Sequence, residues 1–296
     1  MTQSAPDDGF LNAPALIDAS APRARPGWLQ MGVAGFLLAI LVGWLLGRQQ
    51  DDLKQWIPLL LSFGFTIVLV FVTSNGFLVI RRARREQAQL ETVEELIQLR
   101  RWPQAAMALQ AYLSRPIRSI VMRAQGLLCL ALVLARYHRY EDAVRVYDQV
   151  LEEVPLDDAS AHAVRLGRAM ALLCEERLLD ADRAIADLRR GSRGTESPGL
   201  ALLEIYRDVK TGHPREAIQM FQERLELMRK SLGHRVADAW GLVARAYDLL
   251  GQTDEARVAY ENATVLSPVV ELLRRYPEIK PVAEKFPATP TPAGVV

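Results

Sequence analysis

The chain has 296 residues, half of them hydrophobic, and its 36 basic residues nearly balance its 35 acidic ones. A formal net charge of +1 excludes the whole-chain basic excess of a nucleic-acid-coating protein and implies no strongly acidic substrate. The two cysteines, Cys129 and Cys174, lie far apart within apolar helical patterns, which suits small packed residues in a reducing compartment rather than a disulfide framework.

Residues 1–27 are rich in Pro, Ala and Asp and are expected to form a disordered cytoplasmic N-terminus. No charge interrupts the chain between Arg25 and Arg48, and the apolar run from Trp28 is long enough to cross hydrocarbon, so residues 28–47 are expected to be a first transmembrane helix. Leu46-Gly47-Arg48 does not resemble a small-x-small cleavage site, which argues against a cleaved signal peptide. Residues 48–56 form a short extracytoplasmic loop in this reading. The second uncharged run, residues 57–80, has Pro58 in its first turn and is expected to be a second span. Its many β-branched residues do not make it a strand, because hydrocarbon requires every backbone amide to be satisfied within the segment.

The basic juxtamembrane segment 81–87 carries Arg81, Arg82, Arg84 and Arg85, whereas the connecting loop has only Arg48 and Lys54. That asymmetry places both ends of the hairpin in the cytoplasm and offers the lipid bilayer a cationic collar. Gly35, Ala39, Gly43 and Gly47 recur every fourth residue of the first span, with Ser62, Thr66 and Ser74 on a similar stripe of the second. Such stripes let transmembrane helices approach closely, on each other or on another membrane protein. No ionisable residue lies inside either span, so the usual mark of a transporter or proton relay is missing.

From residue 88 to 276 apolar residues recur at three and four, with turn signals at regular intervals. In the segment from Trp240, the positions Trp240, Val243, Ala244, Tyr247, Gly251, Ala256, Tyr260, Ala263 and Pro268 keep the spacing of a tetratricopeptide repeat. Leu127, Leu130, Ala131, Leu134, Tyr140, Ala143, Tyr147, Val150 and Pro155 fall in the same frame, with His138 in place of the turn glycine. Weaker copies around Ala105, Ala181 and Ala217 join Ala143 and Ala256 of the strong units, so the key alanines run 105, 143, 181, 217 and 256, while Glu204 and Asp208 occupy positions where the frame expects an apolar and an aromatic side chain. The region therefore resembles the tetratricopeptide-repeat superfamily. The resemblance implies an α-solenoid of about five helix pairs over residues 88–276, and with the transmembrane helical hairpin ahead of it the chain is expected to be all-α. A short helix over Val269 to Tyr276 is expected to cap the last pair, and residues 277–296 are expected to be a Pro-rich disordered tail. The overall plan is similar to that of bacterial inner-membrane scaffold and assembly factors, which implies a bacterial cytoplasmic membrane.

Nothing in the sequence assembles a catalytic centre. His138, His162, His213 and His234 stand singly, without metal-ligand spacing, and GSRGTESPG over Gly191 to Gly199 lacks the lysine and strand of a phosphate loop. Arg-rich helices are offset by neighbouring acids, as on solvated faces, so neither nucleic acid nor a cofactor is implied. Protein–protein binding is the role the resemblance implies. In the two strong units the first-helix residues turned from the packing seam are Gln125, Leu128, Leu132 and Arg136, then Asp238, Arg245 and Asp248. They are expected to line a groove for a protein partner on the cytoplasmic face. Engagement of a membrane complex through the hairpin, or homo-oligomerisation, are the other readings.

Overall fold

Five times along the chain, a residue with left-handed backbone stands five positions ahead of an alanine that solvent does not reach. The pairs are Arg100 (φ 57°) and Ala105, His138 (φ 60°) and Ala143, Glu176 (φ 62°) and Ala181, Gly212 (φ 79°) and Ala217, and Gly251 (φ 73°) and Ala256. A helix starts two residues after each left-handed position. The computed structural model describes residues 11–22, 77, 80–191 and 197–287, and among these it is all-helical, with no strand. Both apolar runs lie outside the described residues except at positions 77 and 80, and so do Gly35, Ala39, Gly43, Gly47, Ser62, Thr66 and Ser74.

The elements in chain order are α1 (Ala13–Ser20), α2 (80–98), α3 (Trp102–Leu113), α4 (Ile120–Arg136), α5 (Tyr140–Glu153), α6 (Asp158–Cys174) and α7 (Leu178–Gly191). They continue as α8 (Pro198–Thr211), α9 (Pro214–Leu232), α10 (Val236–Leu249), α11 (Thr253–Leu266), α12 (Val269–Arg275) and α13 (Lys280–Lys285), with short 3₁₀ turns at Gly233–Arg235 and Pro277–Ile279. The chain divides into two compact units, Met1–His138 and Arg139–Val296. The division falls at the left-handed turn of the sequence unit containing Ala143.

In the second unit each helix doubles back on its predecessor: α6 on α5, α7 on α6, α9 on α8 and α11 on α10, while α6, α8 and α10 also meet in a row. The even-spaced partners α7 and α11 each bury one narrow stripe, Ala181, Ala184, Ile185 and Leu188 in one and Ala256, Ala259, Tyr260 and Ala263 in the other. That is the three-four period of a helix packed on one side only. By contrast α8 buries seven consecutive residues from Leu200 to Tyr206, as expected of a helix covered all round. Close approach is paired with bulk: a Cβ at Gly167 in α6 would come within 2.8 Å of the Tyr147 hydroxyl from α5.

Two polar residues that break the repeat pattern are core members. Glu204 and Asp208 of α8 are each 5% exposed. Arg189, near the end of α7, donates from Nε to Glu204 at 3.0 Å, and Arg207 ion-pairs with Asp208 at 2.6 Å. Burial raises the Asp208 carboxyl above its ordinary range, against the pull of Arg207.

Sequence expectation fails at both termini. Residues 11–22, assigned to a disordered leader, contain α1, opened by Asn12 accepting from the Ala15 amide at 3.1 Å and by Pro14 in the first turn. Leu11 and Ala13 are buried, and α1 packs on α3 and α4. Residues 277–287, assigned to a disordered tail, form a 3₁₀ turn and α13, with Ile279 and Val282 both 0% exposed. In each case a few aliphatic residues at helical spacing find a tertiary surface, and that burial outweighs the local proline content.

A Cβ at Gly212 meets nothing within 4 Å, so Gly212→Ala isolates the backbone term and is expected to cost about 1 kcal/mol. Glu176 is an exposed L-residue in the same conformation, and Glu176→Gly is expected to leave the thermal midpoint unchanged or raised. Thermal unfolding followed by far-ultraviolet circular dichroism checks both; equal losses would break the equivalence of the five turns.

Candidate binding faces

Counted back from their alanines, Gln125, Leu128 and Leu132 of α4 hold the same places as Asp238, Gly241 and Arg245 of α10. The two faces differ in what covers them. On α10 the cover is the chain's own C-terminal segment.

Asp238 is 0% exposed and meets Arg275 of α12 at 2.9 Å, with Arg235 3.6 Å away and the Tyr276 hydroxyl donating at 3.5 Å. Burial pushes its carboxyl above the ordinary carboxylate range, while Arg275 and Arg235 pull it down. The Tyr276 ring stands edge-on to Tyr206 of α8, 5.0 Å between centroids. One oxygen of Glu278 accepts from the Tyr206 hydroxyl at 3.0 Å and from Lys210 at 2.9 Å. Beyond it, Ile279 fills the hollow over Gly241, where an added Cβ would come within 2.7 Å of Cδ1. Finally, Lys285 of α13 ion-pairs with Asp248, which also accepts from Arg245 at 2.5 Å. Burial pushes the Asp248 carboxyl up, yet the hydrogen bonds from Lys285 and Arg245 hold it below its usual value.

Asp238, Arg245 and Asp248 therefore share one face, as their spacing indicates, but that face is not an open groove. It is a fitted seat in which each charge already has its counter-charge. The alternation was visible in the tail as Ile279, Val282 and Phe286 at helical spacing, a signal outweighed by the prolines around it.

The α4 face is open. Gln125 is exposed, Leu132 is 47% exposed and Leu128 is half-buried, while the Arg136 guanidinium lies 5.2 Å over the Trp102 ring of α3. On another side of α4, Arg123 is 5% exposed and donates from Nε to the Ser20 hydroxyl and from Nη2 to the Ile17 carbonyl, each at 3.1 Å. The Ile117 amide donates to the Ser20 carbonyl at 3.1 Å, so the N-terminal segment is fastened to the loop ahead of α4. Sequence reasoning did not single out Arg123. Arg81, Arg82, Arg84 and Arg85 are all exposed in the first turns of α2.

A polar cleft of about 400 Å³ opens between α7, α8 and α9, lined by Asp182, Arg189, Arg207, Asp208 and His213 among others. Its charges are largely spent on one another. Among the described residues no group of His, Cys, Asp and Glu could hold a metal ion, and no helix is long and apolar enough to cross a membrane. Both cysteines are free thiols, raised by burial to about 11, so neither is a reactive thiolate at neutral pH. The chain matches no protein-family model and no curated protein.

Arg275→Ala would leave Asp238 buried without its closest cation and is expected to cost about 3–5 kcal/mol at neutral pH. The folded-state carboxyl already sits above its unfolded value, so its contribution is most favourable at low pH and is lost as pH rises through that window. Removing the guanidinium raises it further. The variant's deficit should therefore shrink as pH falls from neutrality toward the ordinary carboxylate range, as measured by denaturant unfolding at each pH; a deficit that stays constant down to that range would contradict a raised Asp238 carboxyl.

Proposed function

We propose that this chain is a membrane-anchored adaptor, in which a transmembrane hairpin holds an array of tetratricopeptide-like helix pairs that binds a protein partner on the cytoplasmic side. The observation that carries the reading is the fivefold recurrence of a left-handed residue, a helix start two positions on and a fully buried alanine five positions on. A period this regular in backbone and in packing is what stacked helix pairs require. Contact between Ser20 and Arg123 supports the hairpin reading: residues on either side of both apolar runs touch, as two crossings that return the chain to the same side require.

The α4 face is the partner site in this reading. Its counterpart on α10 already accepts a folded peptide segment in cis, using a hollow for one aliphatic side chain flanked by charges. Leu128 and Leu132 beside Gln125 offer a more apolar version of that seat, suited to one face of an amphipathic helix.

Proximity labelling from a fusion at Val296 in native cells, compared between wild type and Leu132→Glu, tests this directly. Loss of a defined set of soluble partners by tenfold or more in the variant, with membrane complexes unchanged, is the expected result. If Leu132→Glu leaves the labelled set intact and Gly43→Leu removes an integral membrane complex, the hairpin is the binding element and the chain is an accessory subunit.

A further inference from the structure

The two ends of the stretch that contains both apolar runs are fastened to adjacent residues of one loop. Before the stretch, the Ser20 carbonyl accepts from the Ile117 amide. After it, Glu86 of α2 accepts a hydrogen bond from the Arg118 backbone. Ile80 is six helical residues from Glu86, roughly 9 Å at 1.5 Å per residue. Segment 114–121, the loop after α3 with the first two residues of α4, thus lies about a nanometre from where the chain leaves its second apolar run.

What this loop presents is unusual for a solvated turn. Arg115 and Arg118 are exposed on it, and the next residues are an aliphatic pair, Ile120 at 50% and Val121 at 69% exposure. The Ser119 side chain caps α4 by accepting from the Met122 amide at 3.3 Å, which fixes the first turn that holds both aliphatics outward. Charge agrees with this placement: residues 80–138 contain ten arginines against four glutamates, whereas residues 139–296 carry 22 basic against 26 acidic residues. The excess of positive charge belongs to the part of the chain next to the apolar runs.

We propose that segment 114–121 is a membrane-surface contact, in which Arg115 and Arg118 together with the exposed arginines of α2 meet anionic lipid headgroups while Ile120 and Val121 enter the apolar boundary. The proposal rests on the reading of residues 28–80 as a two-span bilayer anchor. Cationic side chains beside exposed aliphatics are the composition that binds an anionic interface, each group acting through the term that suits it. Clasping of α1 and α2 onto this loop then sets the height and tilt of the first unit on the membrane.

The test uses the full-length protein reconstituted in vesicles with an environment-sensitive fluorophore at Val121→Cys, and at Ile120→Cys as a second site. The native thiols react slowly because burial keeps them protonated. In vesicles containing phosphatidylglycerol, brominated acyl chains are expected to quench the probe at least twofold more than in phosphatidylcholine alone. Arg115→Glu with Arg118→Gln should abolish the difference, and a probe at Met107→Cys on α3, itself 53% exposed, should stay unquenched in both lipids. A probe at 120 and 121 that is unquenched, or quenched equally in both lipids, overturns the proposal. Alkaline carbonate extraction separates the two levels: release of the wild-type chain overturns the anchor, whereas retention with an unquenched probe overturns the loop contact alone.

Discussion

Everything in this fold depends on how closely two helices meet at an alanine. At Ala105, Ala143, Ala181, Ala217 and Ala256 the side chain is a single methyl with no exposure, and a left-handed residue five positions earlier turns the chain so that the methyl faces the core. A larger side chain would hold the helices apart, since packed interiors leave no slack for an added methylene. A turn of another length would rotate the helix and carry the alanine off its seam. Because both terms recur at one spacing, the faces of the first helices recur as well, and α4 and α10 can be compared position by position.

The comparison shows one scaffold face used in two states. On α10 the seat is filled by the chain itself, with Tyr276, Ile279 and Val282 nearly or wholly buried. Removing that much aromatic and aliphatic surface from contact would cost several kcal/mol by transfer free energy, at roughly 1.5–3 kcal/mol per side chain. The segment is accordingly a permanent cap rather than a displaceable lid, and it stops the repeat array without leaving an apolar end. On α4 no such segment is seated among the described residues, and Leu132 stays 47% exposed.

How much of this could be read in advance follows from how local each signal is. The alanine spacing and the all-helical class depend on residues close in sequence, and they were legible. His138 was marked by standing where the frame expects the turn glycine, but Arg100 and Glu176 in left-handed turns were not legible, because a residue with a Cβ gives no sign of its own that its turn demands positive φ. Glu204 and Asp208 looked like defects in the pattern; their partners Arg189 and Arg207 lie on neighbouring turns or helices and become visible only once packed. The charge contrast between the two halves was present in the sequence but is lost in a net charge of +1. Both terminal helices were hidden by proline, whose cost to a helix is small in the first turn, where Pro14 and Pro281 sit.

The central claim is an adaptor on a two-span anchor with both ends on one side of the membrane. Single cysteines at Asp18, Asp52 and Thr253, probed in intact and permeabilised cells with a membrane-impermeant maleimide, test it most directly. Labelling of Asp52→Cys in intact cells, and of Asp18→Cys and Thr253→Cys only after permeabilisation, is the expected result. Labelling of Asp18→Cys and Thr253→Cys from opposite sides would contradict it, since the clasp between Ser20 and Arg123 could not then exist in the membrane-bound protein.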